Sequence, residues 1–349
     1  MQFGIFGSAQ ASTADLGPET GQGFHDYLDM AVEAEALGYR SSFLVEHHFT
    51  GWNQVSATLM LQTALAMRTT RLRLGTAVIV LPWHNLVLLA EQAATLDLVS
   101  NGRFDFGIGK GYRHNEFAGF RIPIEEAEPR FEESVEVMTR AFVSRERFSH
   151  RGRFWQFDDI VVEPPPAQKP HPPFWVAAAS DASIARAARR GFNLILDQYA
   201  SPEQHGRRIA LFRAERLAAG LPFDPMQVAV ARQLHVANDK AEAAQALKRA
   251  AAATQRTVDV SRLPGGKTGS HVLSYADKPG ATEAHTLYDT PDGISEKLGA
   301  LRQAGVGYIL LTTLGGPAQL RRFAGEIMPG FLLDPEPRSG VSASESTLV

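Results

Sequence analysis

The stretch that decides the fold spans residues 72–112 and reads LRLGTAVIVLPWHNLVLLAEQAATLDLVSNGRFDFGIGKGY. It opens with an apolar segment of strand character at 72–81, continues with a segment of helical length at 85–99, and reaches a second apolar strand at 104–108. A glycine-dense turn, GIGKG at 107–111, ends this second strand. A strand, a helix and a further strand in this order predict two parallel strands joined by a right-handed crossover.

The same alternation continues through the rest of the chain. Apolar strand-like segments recur with helical segments between nearly all of them. Eight such segments favour a single (β/α)8 TIM barrel over an open, doubly wound sheet, which remains the alternative because strand order cannot be read from a sequence. The predicted strands cover residues 2–6, 41–45, 72–81, 104–108, 174–178, 192–196, 227–236 and 308–311.

We expect one domain over residues 1–331, because α/β barrels of this length fold as a single unit. The segment 256–290 breaks the alternation, since it is polar and shows no sustained period. A structureless insertion of this length in a compact domain predicts a lid-like loop after strand seven. The residues at 332–349 are rich in Ser, Pro and Glu and predict a flexible C-terminal tail.

Bulk composition argues against several classes of protein. The chain has 349 residues, of which 44% are apolar and 21% charged, and its formal net charge is −3. It has no long run of Lys and Arg, so we expect no nucleic-acid partner. No apolar stretch reaches the roughly 18 residues that span a bilayer, and the N-terminus lacks a signal-peptide pattern; we therefore expect no membrane association and a cytoplasmic location. The absence of cysteine excludes disulfides, thiolate nucleophiles and cysteine-bound metals.

Polar residues that follow strands are the candidates for chemistry, because the carboxyl ends of barrel strands form one active face. His47 and His48 follow the second strand. Adjacent side chains on an extended segment point to opposite faces, so we expect no shared metal ion here, and no other metal-ligand spacing is present. A single imidazole at the barrel mouth is instead expected to act in acid–base chemistry or as a hydrogen-bond donor; the alternative is a solvated loop residue.

Two further segments at strand ends suggest a site for a phosphate group. The turn at 107–111 has the wrong spacing for a dinucleotide fingerprint, but it would let a flat ligand approach the backbone, with Lys110 as a counter-charge. The alternative is a tight structural turn. Ser180, Asp181 and Ser183 begin the helix after the fifth strand, where exposed N–H groups suit an anion, although a serine at this position more often only caps the helix.

Four motifs in register resemble one known family. They are EHHF at 46–49, GTAVIVLP at 75–82, the pair Ala90-Glu91, and GRFDFGIGKG at 102–111. Their order and spacing are similar to those of the bacterial luciferase-like flavin-dependent monooxygenases, in particular the luciferase α-subunit. The resemblance extends over most of the predicted domain and is weakest in the insertion.

The resemblance implies a TIM barrel that binds FMN at its C-terminal mouth. In this family reduced FMN (FMNH2), supplied by a separate NAD(P)H-dependent flavin reductase, reacts with O2 to form a flavin peroxide that oxygenates an aldehyde or another small organic substrate. The family also implies a homodimer. Two other functions remain open: an oxidoreductase that uses the deazaflavin coenzyme F420, since related barrels transfer hydride with it, and a non-catalytic flavin-binding barrel.

The same resemblance places individual residues. His47 corresponds to the active-site histidine beside the flavin, and Ala77 and Val78 correspond to a pair joined by a non-prolyl cis peptide under the isoalloxazine ring. Gly109 and Lys110 stand where luciferase has a reactive cysteine and a phosphate-binding arginine. The cofactor-binding set implied for this chain is Thr76, Ala77, Val78, Gly109, Lys110, Tyr112, Ala179, Ser180 and Ser183.

Overall fold

Parallel strands close into a barrel in the computed structural model, which describes residues 1–12, 21–261, 280 and 283–332. The strands in these ranges are β1 (Gln2–Gly7), β2 (Ser41–Leu44), β3 (Arg73–Thr76), β4 (Ile79–Val80), β5 (Phe104–Gly109), β6 (Phe148–Arg151), β7 (Gln156–Ile160), β8 (Phe174–Ala177), β9 (Asn193–Leu196), β10 (Val228–Val236), β11 (Leu287–Asp289) and β12 (Tyr308–Thr312). Two of them, β6 and β7, form a separate antiparallel hairpin.

The α-helices alternate with the barrel strands along the chain. Within the described ranges they are α1 (Gln22–Ala36), α2 (Thr58–Ala66), α3 (Leu86–Val99), α4 (His114–Gly119), α5 (Ala127–Val143), α6 (Asp181–Arg189), α7 (Pro202–Ala218), α8 (Lys240–Ser261), α9 (Pro291–Gln303) and α10 (Gly316–Glu326). None of the helices in this part of the chain is long and apolar enough to cross a membrane.

Strand pairing confirms the barrel. Neighbouring strands pair in the order β1, β2, β3, β5, β8, β9, β10, β12, and β12 pairs with β1 to complete the ring. All of these pairs are parallel, as the βαβ alternation predicts. The open doubly wound sheet, which was the alternative, is therefore wrong for this chain.

The barrel interior is filled by side chains. Phe43, Trp175 and Tyr308 come from three different barrel strands and are buried together. The rings of Phe43 and Trp175 meet edge to face with their centroids 5.4 Å apart, a preferred aromatic geometry. Because the interior of the described barrel is packed, we expect a ligand to bind at the mouth, where the strands end.

The third predicted strand is interrupted. Residues 72–81 form β3 and β4 separately, and both pair with β5. The break falls at Ala77 and Val78, whose peptide bond is cis, as the family resemblance implies. This places an irregular backbone segment at the carboxyl end of β3.

Two predicted boundaries differ from the structure. The insertion was expected over 256–290, but α8 continues to Ser261, and residues 287–289 form β11 beside the end of β10. Most of the expected lid, 262–279 and 281–282, lies outside the described residues, as does the expected tail from 333 onward. The lid and the tail therefore stay predictions.

Candidate active site at the barrel mouth

A cavity of about 430 Å³ opens at the carboxyl ends of the strands. Its volume lies within the range of small-molecule sites. Trp52 contributes to the wall from the loop after β2, and α8 contributes Ala250, Ala253 and Thr254. Of the site residues predicted from the sequence, His47 is the one that lines this cavity.

His47 is held by a buried carboxylate. Its Nδ1 lies 3.0 Å from Oε1 of Glu116, and the same oxygen accepts the backbone N–H of His48 at 2.9 Å. The Glu116 side chain is 2% exposed and that of His47 is 15% exposed. Because a carboxylate only accepts, it holds the imidazole proton on Nδ1 and leaves Nε2 as the proton acceptor.

The surroundings of His47 favour its neutral form. Burial is the largest effect and lowers the pKa of the imidazole, and the positive charge of Arg113 lowers it further. The hydrogen bond and charge of Glu116 raise the pKa, and Glu46 adds to this, but the net direction is downward from the ordinary value of 6.5. At neutral pH the ring is therefore uncharged and can accept a proton.

Glu46 organises the neighbouring loop rather than the cavity. Its Oε2 accepts the backbone N–H of Val80 at 2.7 Å, its Oε1 lies 2.8 Å from Nε2 of His84, and Nε2 of His48 lies 3.3 Å from that same oxygen. Burial alone would raise the pKa of Glu46, but His48, His84 and the Val80 N–H lower it to about 2. His47 and His48 thus have different carboxylate partners, and no metal-binding cluster of His, Asp or Glu is found among the described residues.

The interrupted strand offers a platform next to β5. Thr76 is fully buried, and its hydroxyl donates to the carbonyl of Gly107 at 2.7 Å, so it fastens β3 to β5. Ala77 and Val78 follow and are half-buried. Both side chains are apolar, and the family resemblance places this pair under the flavin ring.

Two glycines of the turn at 107–111 have a packing role. A Cβ atom on Gly107 would lie 1.6 Å from the carbonyl oxygen of Thr76, and one on Gly109 would lie 2.5 Å from Cγ2 of Val78. Both positions need glycine so that β5 can approach the interrupted strand. Gly111 has φ +77, a left-handed conformation that favours glycine. The structural turn, which was the alternative reading, therefore explains these glycines without a ligand.

A cluster of three charged side chains, Lys110, Glu128 and Arg186, lies beside the start of α6. The Nζ of Lys110 lies 2.7 Å from Oε2 of Glu128, and Nη2 of Arg186 lies 2.7 Å from Oε1 of the same carboxylate. Arg186 follows Ser183 by one helical turn, so Lys110 and the start of α6 lie in one neighbourhood. Neither Glu128 nor Arg186 was singled out in the sequence.

Ser180 caps α6, as predicted. Its Oγ accepts the backbone N–H of Ser183 at 3.3 Å, and the Ser183 hydroxyl donates to the Ser180 carbonyl at 2.8 Å. No hydrogen-bond acceptor among the described residues takes the N–H groups of Asp181 and Ala182. Ala179 precedes the cap and is half-buried.

These residues suit a flavin that carries a phosphate. The first-turn N–H groups of α6, Lys110 and Arg186 are suitable donors and counter-charges for a phosphate group, and Ala77 and Val78 supply an apolar platform. One feature opposes this fit: Glu128 already pairs with Lys110 and Arg186, so a phosphate there must compete with its carboxylate. Tyr112 is half-buried, and the Arg113 guanidinium carbon lies 5.8 Å from its ring centroid.

Solved structures of known proteins share this barrel. The FMN-bound oxygenating constituent of 3,6-diketocamphane monooxygenase from Pseudomonas putida aligns with a TM-score of 0.77 and 21% identity over 95% of this chain and 99% of that one. An F420-dependent secondary alcohol dehydrogenase aligns with a TM-score of 0.74 and 18% identity over 94% of this chain and 98% of that one. At these identities the likeness is one of fold.

Sequence comparison adds a family. The oxygenase component of a flavin-dependent trigonelline monooxygenase from Acinetobacter baylyi is 30% identical over 173 residues, which are 49% of this chain and 48% of that protein. The chain spans about half the length of the curated relatives it matches. The luciferase-like monooxygenase family matches residues 1–308, which include the described barrel from β1 to the start of β12. The chain belongs to the luciferase-like monooxygenase family.

Proposed function

We propose that this chain is the oxygenase component of a two-component monooxygenase, which uses reduced FMN and O2 to oxygenate a small organic substrate. The observation that carries the proposal is the pair of His47 and Glu116 at the barrel mouth of a luciferase-like monooxygenase. An NAD(P)H-dependent flavin reductase would supply the reduced FMN. The relative from Acinetobacter baylyi, which is named as an oxygenase component, supports such a division of labour.

The chain's own residues would bind and orient the cofactor. Reduced FMN, when bound, supplies the electrons that activate O2. Lys110, Ser180 and Ser183 would hold its phosphate, and the backbone at Ala77 and Val78 would support its ring. This arrangement leaves the cavity that His47 lines for the substrate.

His47 would accept a proton in this cavity. Its lowered pKa keeps the ring neutral, and Glu116 keeps the existing proton on Nδ1. Nε2 is therefore the atom that takes up a proton or accepts a hydrogen bond next to the reacting groups. A neutral ring of this tautomer favours proton acceptance over proton donation.

The cavity wall would limit the access of water. Ala250, Ala253 and Thr254 of α8 face the same space as apolar side chains such as Val45 and Leu311. The apolar part of the wall would help to protect a reactive species from water.

The test is the reaction of the purified chain, loaded with chemically reduced FMN under anaerobic conditions and then mixed with O2. We expect the bound FMN to be reoxidised at a rate different from that of free FMN, and His47→Ala to change this rate about 100-fold while leaving FMN affinity within twofold. The matched control is His25→Ala, because His25 is exposed on α1. Reoxidation at the rate of free FMN, unaltered by His47→Ala, would refute the proposal.

Hydride transfer with coenzyme F420 is the second candidate. It is favoured by the likeness of the barrel to that of the F420-dependent secondary alcohol dehydrogenase. Titration of the chain with FMN and with F420 separates the two, since tighter binding of F420 and anaerobic oxidation of a secondary alcohol would support the dehydrogenase. A non-catalytic flavin-binding barrel predicts tight FMN binding with no change in its reaction with O2.

We further propose that the chain forms a homodimer through α2 and α3. Three large apolar side chains on or next to these helices are strongly exposed: Met60 at 76%, Met67 at 73% and Leu88 at 53%. Apolar surface of this kind is typical of subunit interfaces. Sedimentation equilibrium should give a dimer for the wild type and a monomer for Met60→Glu, and a monomeric wild type would contradict the proposal.

A further inference from the structure

Arg113 is a buried cation without a partner in the described chain. The residue is 3% exposed, and both Nε and Nη1 are buried with no hydrogen-bond partner. No ion pair joins it to a carboxylate of the described residues; its recorded contact is with the Tyr112 ring, 5.8 Å from the guanidinium carbon to the centroid. Buried charges in proteins are normally paired, so this guanidinium is suited to bind an anionic ligand.

The guanidinium borders the cavity at the barrel mouth. Arg113 and His47 both line it, while no Asp or Glu among the described residues does. The other polar wall groups, such as Gln198, Gln233 and Thr312, are uncharged. Arg113 therefore supplies the fixed charge of the described wall.

The site proposed for the phosphate of the cofactor lies outside this cavity. Lys110 and Arg186 lie on the two sides of Glu128, and none of these three lines the cavity. Arg113, in contrast, is close enough to His47 for its charge to lower the pKa of that imidazole. An anion that pairs with Arg113 would therefore belong to a molecule bound next to His47.

We propose that Arg113 binds an anionic group of the substrate, and that the substrate is a small organic carboxylate with an apolar body. This inference rests on the proposed function, because it takes the molecule in the cavity to be the one that is oxygenated. A planar guanidinium matches the two oxygens of a carboxylate in geometry and charge. Apolar wall residues such as Ile5, Val45 and Leu311 suit the remainder of the molecule.

The experiment compares two probes that differ in charge and hardly in shape. Octanoate and octanamide are titrated by calorimetry into the flavin-free protein. We expect octanoate to bind wild type at least tenfold more tightly, because a charge-assisted contact with Arg113 is available to it alone. Arg113→Gln should remove this preference, and Arg113→Lys should keep part of it, since lysine retains the charge and loses the planar fork.

The matched control is Arg207→Gln, since Arg207 is an exposed arginine of α7 that does not line the cavity. It should keep the wild-type preference. Equal binding of the two probes to wild type overturns the inference, and so does a preference that survives Arg113→Gln. If Arg113→Gln does not fold, the relative affinities of wild type and of Arg113→Lys for octanoate and octanamide decide whether the inference holds.

The same variants separate this inference from the proposed function. A weaker affinity of Arg113→Gln for FMN, with octanoate binding unchanged, would make Arg113 a cofactor contact and overturn the inference. If the preference for octanoate is found but bound reduced FMN reacts with O2 as free FMN does, the monooxygenase function fails while anion binding by Arg113 stands.

Discussion

The carboxylate of Glu116 fixes the ring of His47 from a position 69 residues further along the chain. Its Oε1 serves both Nδ1 of His47, at 3.0 Å, and the backbone N–H of His48, at 2.9 Å. Through this one oxygen, Glu116 connects α4 to the loop after β2 and sets the tautomer of the His47 imidazole. Glu116 is a positioning residue, since it acts through His47.

Replacing this carboxylate should impair catalysis without impairing cofactor binding. We expect Glu116→Gln to lower kcat at least tenfold and to leave FMN affinity unchanged. Because Glu116 raises the pKa of His47, its loss should move the acidic limb of the pH–rate profile, where His47 gains a proton, to lower pH. The exposed Glu125→Gln is the control. A lower kcat with an unmoved acidic limb would reduce Glu116 to a structural role.

Glu128 competes with the proposed phosphate, and its removal should help the cofactor bind. It pairs with Lys110 and with Arg186 at 2.7 Å each, and exposed pairs of this kind contribute about 0.2–1 kcal/mol. We expect Glu128→Gln to tighten FMN binding by about threefold, measured by quenching of flavin fluorescence. Glu136→Gln is the matched control, since Glu136 is exposed on α5 and forms no ion pair with Lys110 or Arg186. Weaker FMN binding in Glu128→Gln would place the phosphate elsewhere.

The strand and helix alternation of the barrel could be read from the sequence because each element buries an apolar face. Closure of the ring could not, since it depends on the pairing of β12 with β1, which are far apart in the chain. β11 was missed because Leu287–Asp289 is three residues long and sits in a polar segment. α4, with six residues, is too short to show a helical period.

The site could be predicted where residues lie in strand-end motifs. His47 and the Ala77–Val78 pair are of this kind, and the resemblance placed them. Glu116 was missed because nothing in a six-residue helix indicates which distant side chain it will meet. The burial of Arg113 without a partner among the described residues could not be predicted, because it is a property of the folded chain.

The glycines of β5 should be irreplaceable for packing reasons. A Cβ on Gly107 would lie 1.6 Å from the backbone oxygen of Thr76, which cannot move without opening the β3–β5 pair. We expect Gly107→Ala to destabilise the fold by about 1–3 kcal/mol or more. Chemical denaturation monitored by circular dichroism measures this effect.

The control for that change is Gly299→Ala. Gly299 lies inside α9, and a Cβ there would meet nothing within 4 Å. We expect it to be neutral or to stabilise the helix by about 0.4–1 kcal/mol. If the two variants were equally stable, the close approach of Gly107 and Thr76 would not be a constraint on the fold.

Glu46 should make stability depend on pH in acid. Its folded pKa of about 2 lies below the ordinary value of 4.5, so the ionised carboxylate stabilises the fold. This contribution is fully present above about pH 4.5 and is lost as the pH falls toward 2. A shift of that size corresponds to a free energy on the order of 3 kcal/mol.

Glu46→Gln tests this directly. Denaturant unfolding at several pH values measures the free energy of unfolding of both proteins. At pH 7 the variant should be less stable than wild type, and this difference should shrink between pH 4.5 and 2. The reason is that wild-type Glu46, once protonated, has also lost its charge-assisted contacts to His84 and the Val80 N–H. Glu136→Gln is the control, since Glu136 is exposed on α5. A difference that stays constant across this pH range would mean that Glu46 acts through its shape and neutral hydrogen bonds, not through its charge.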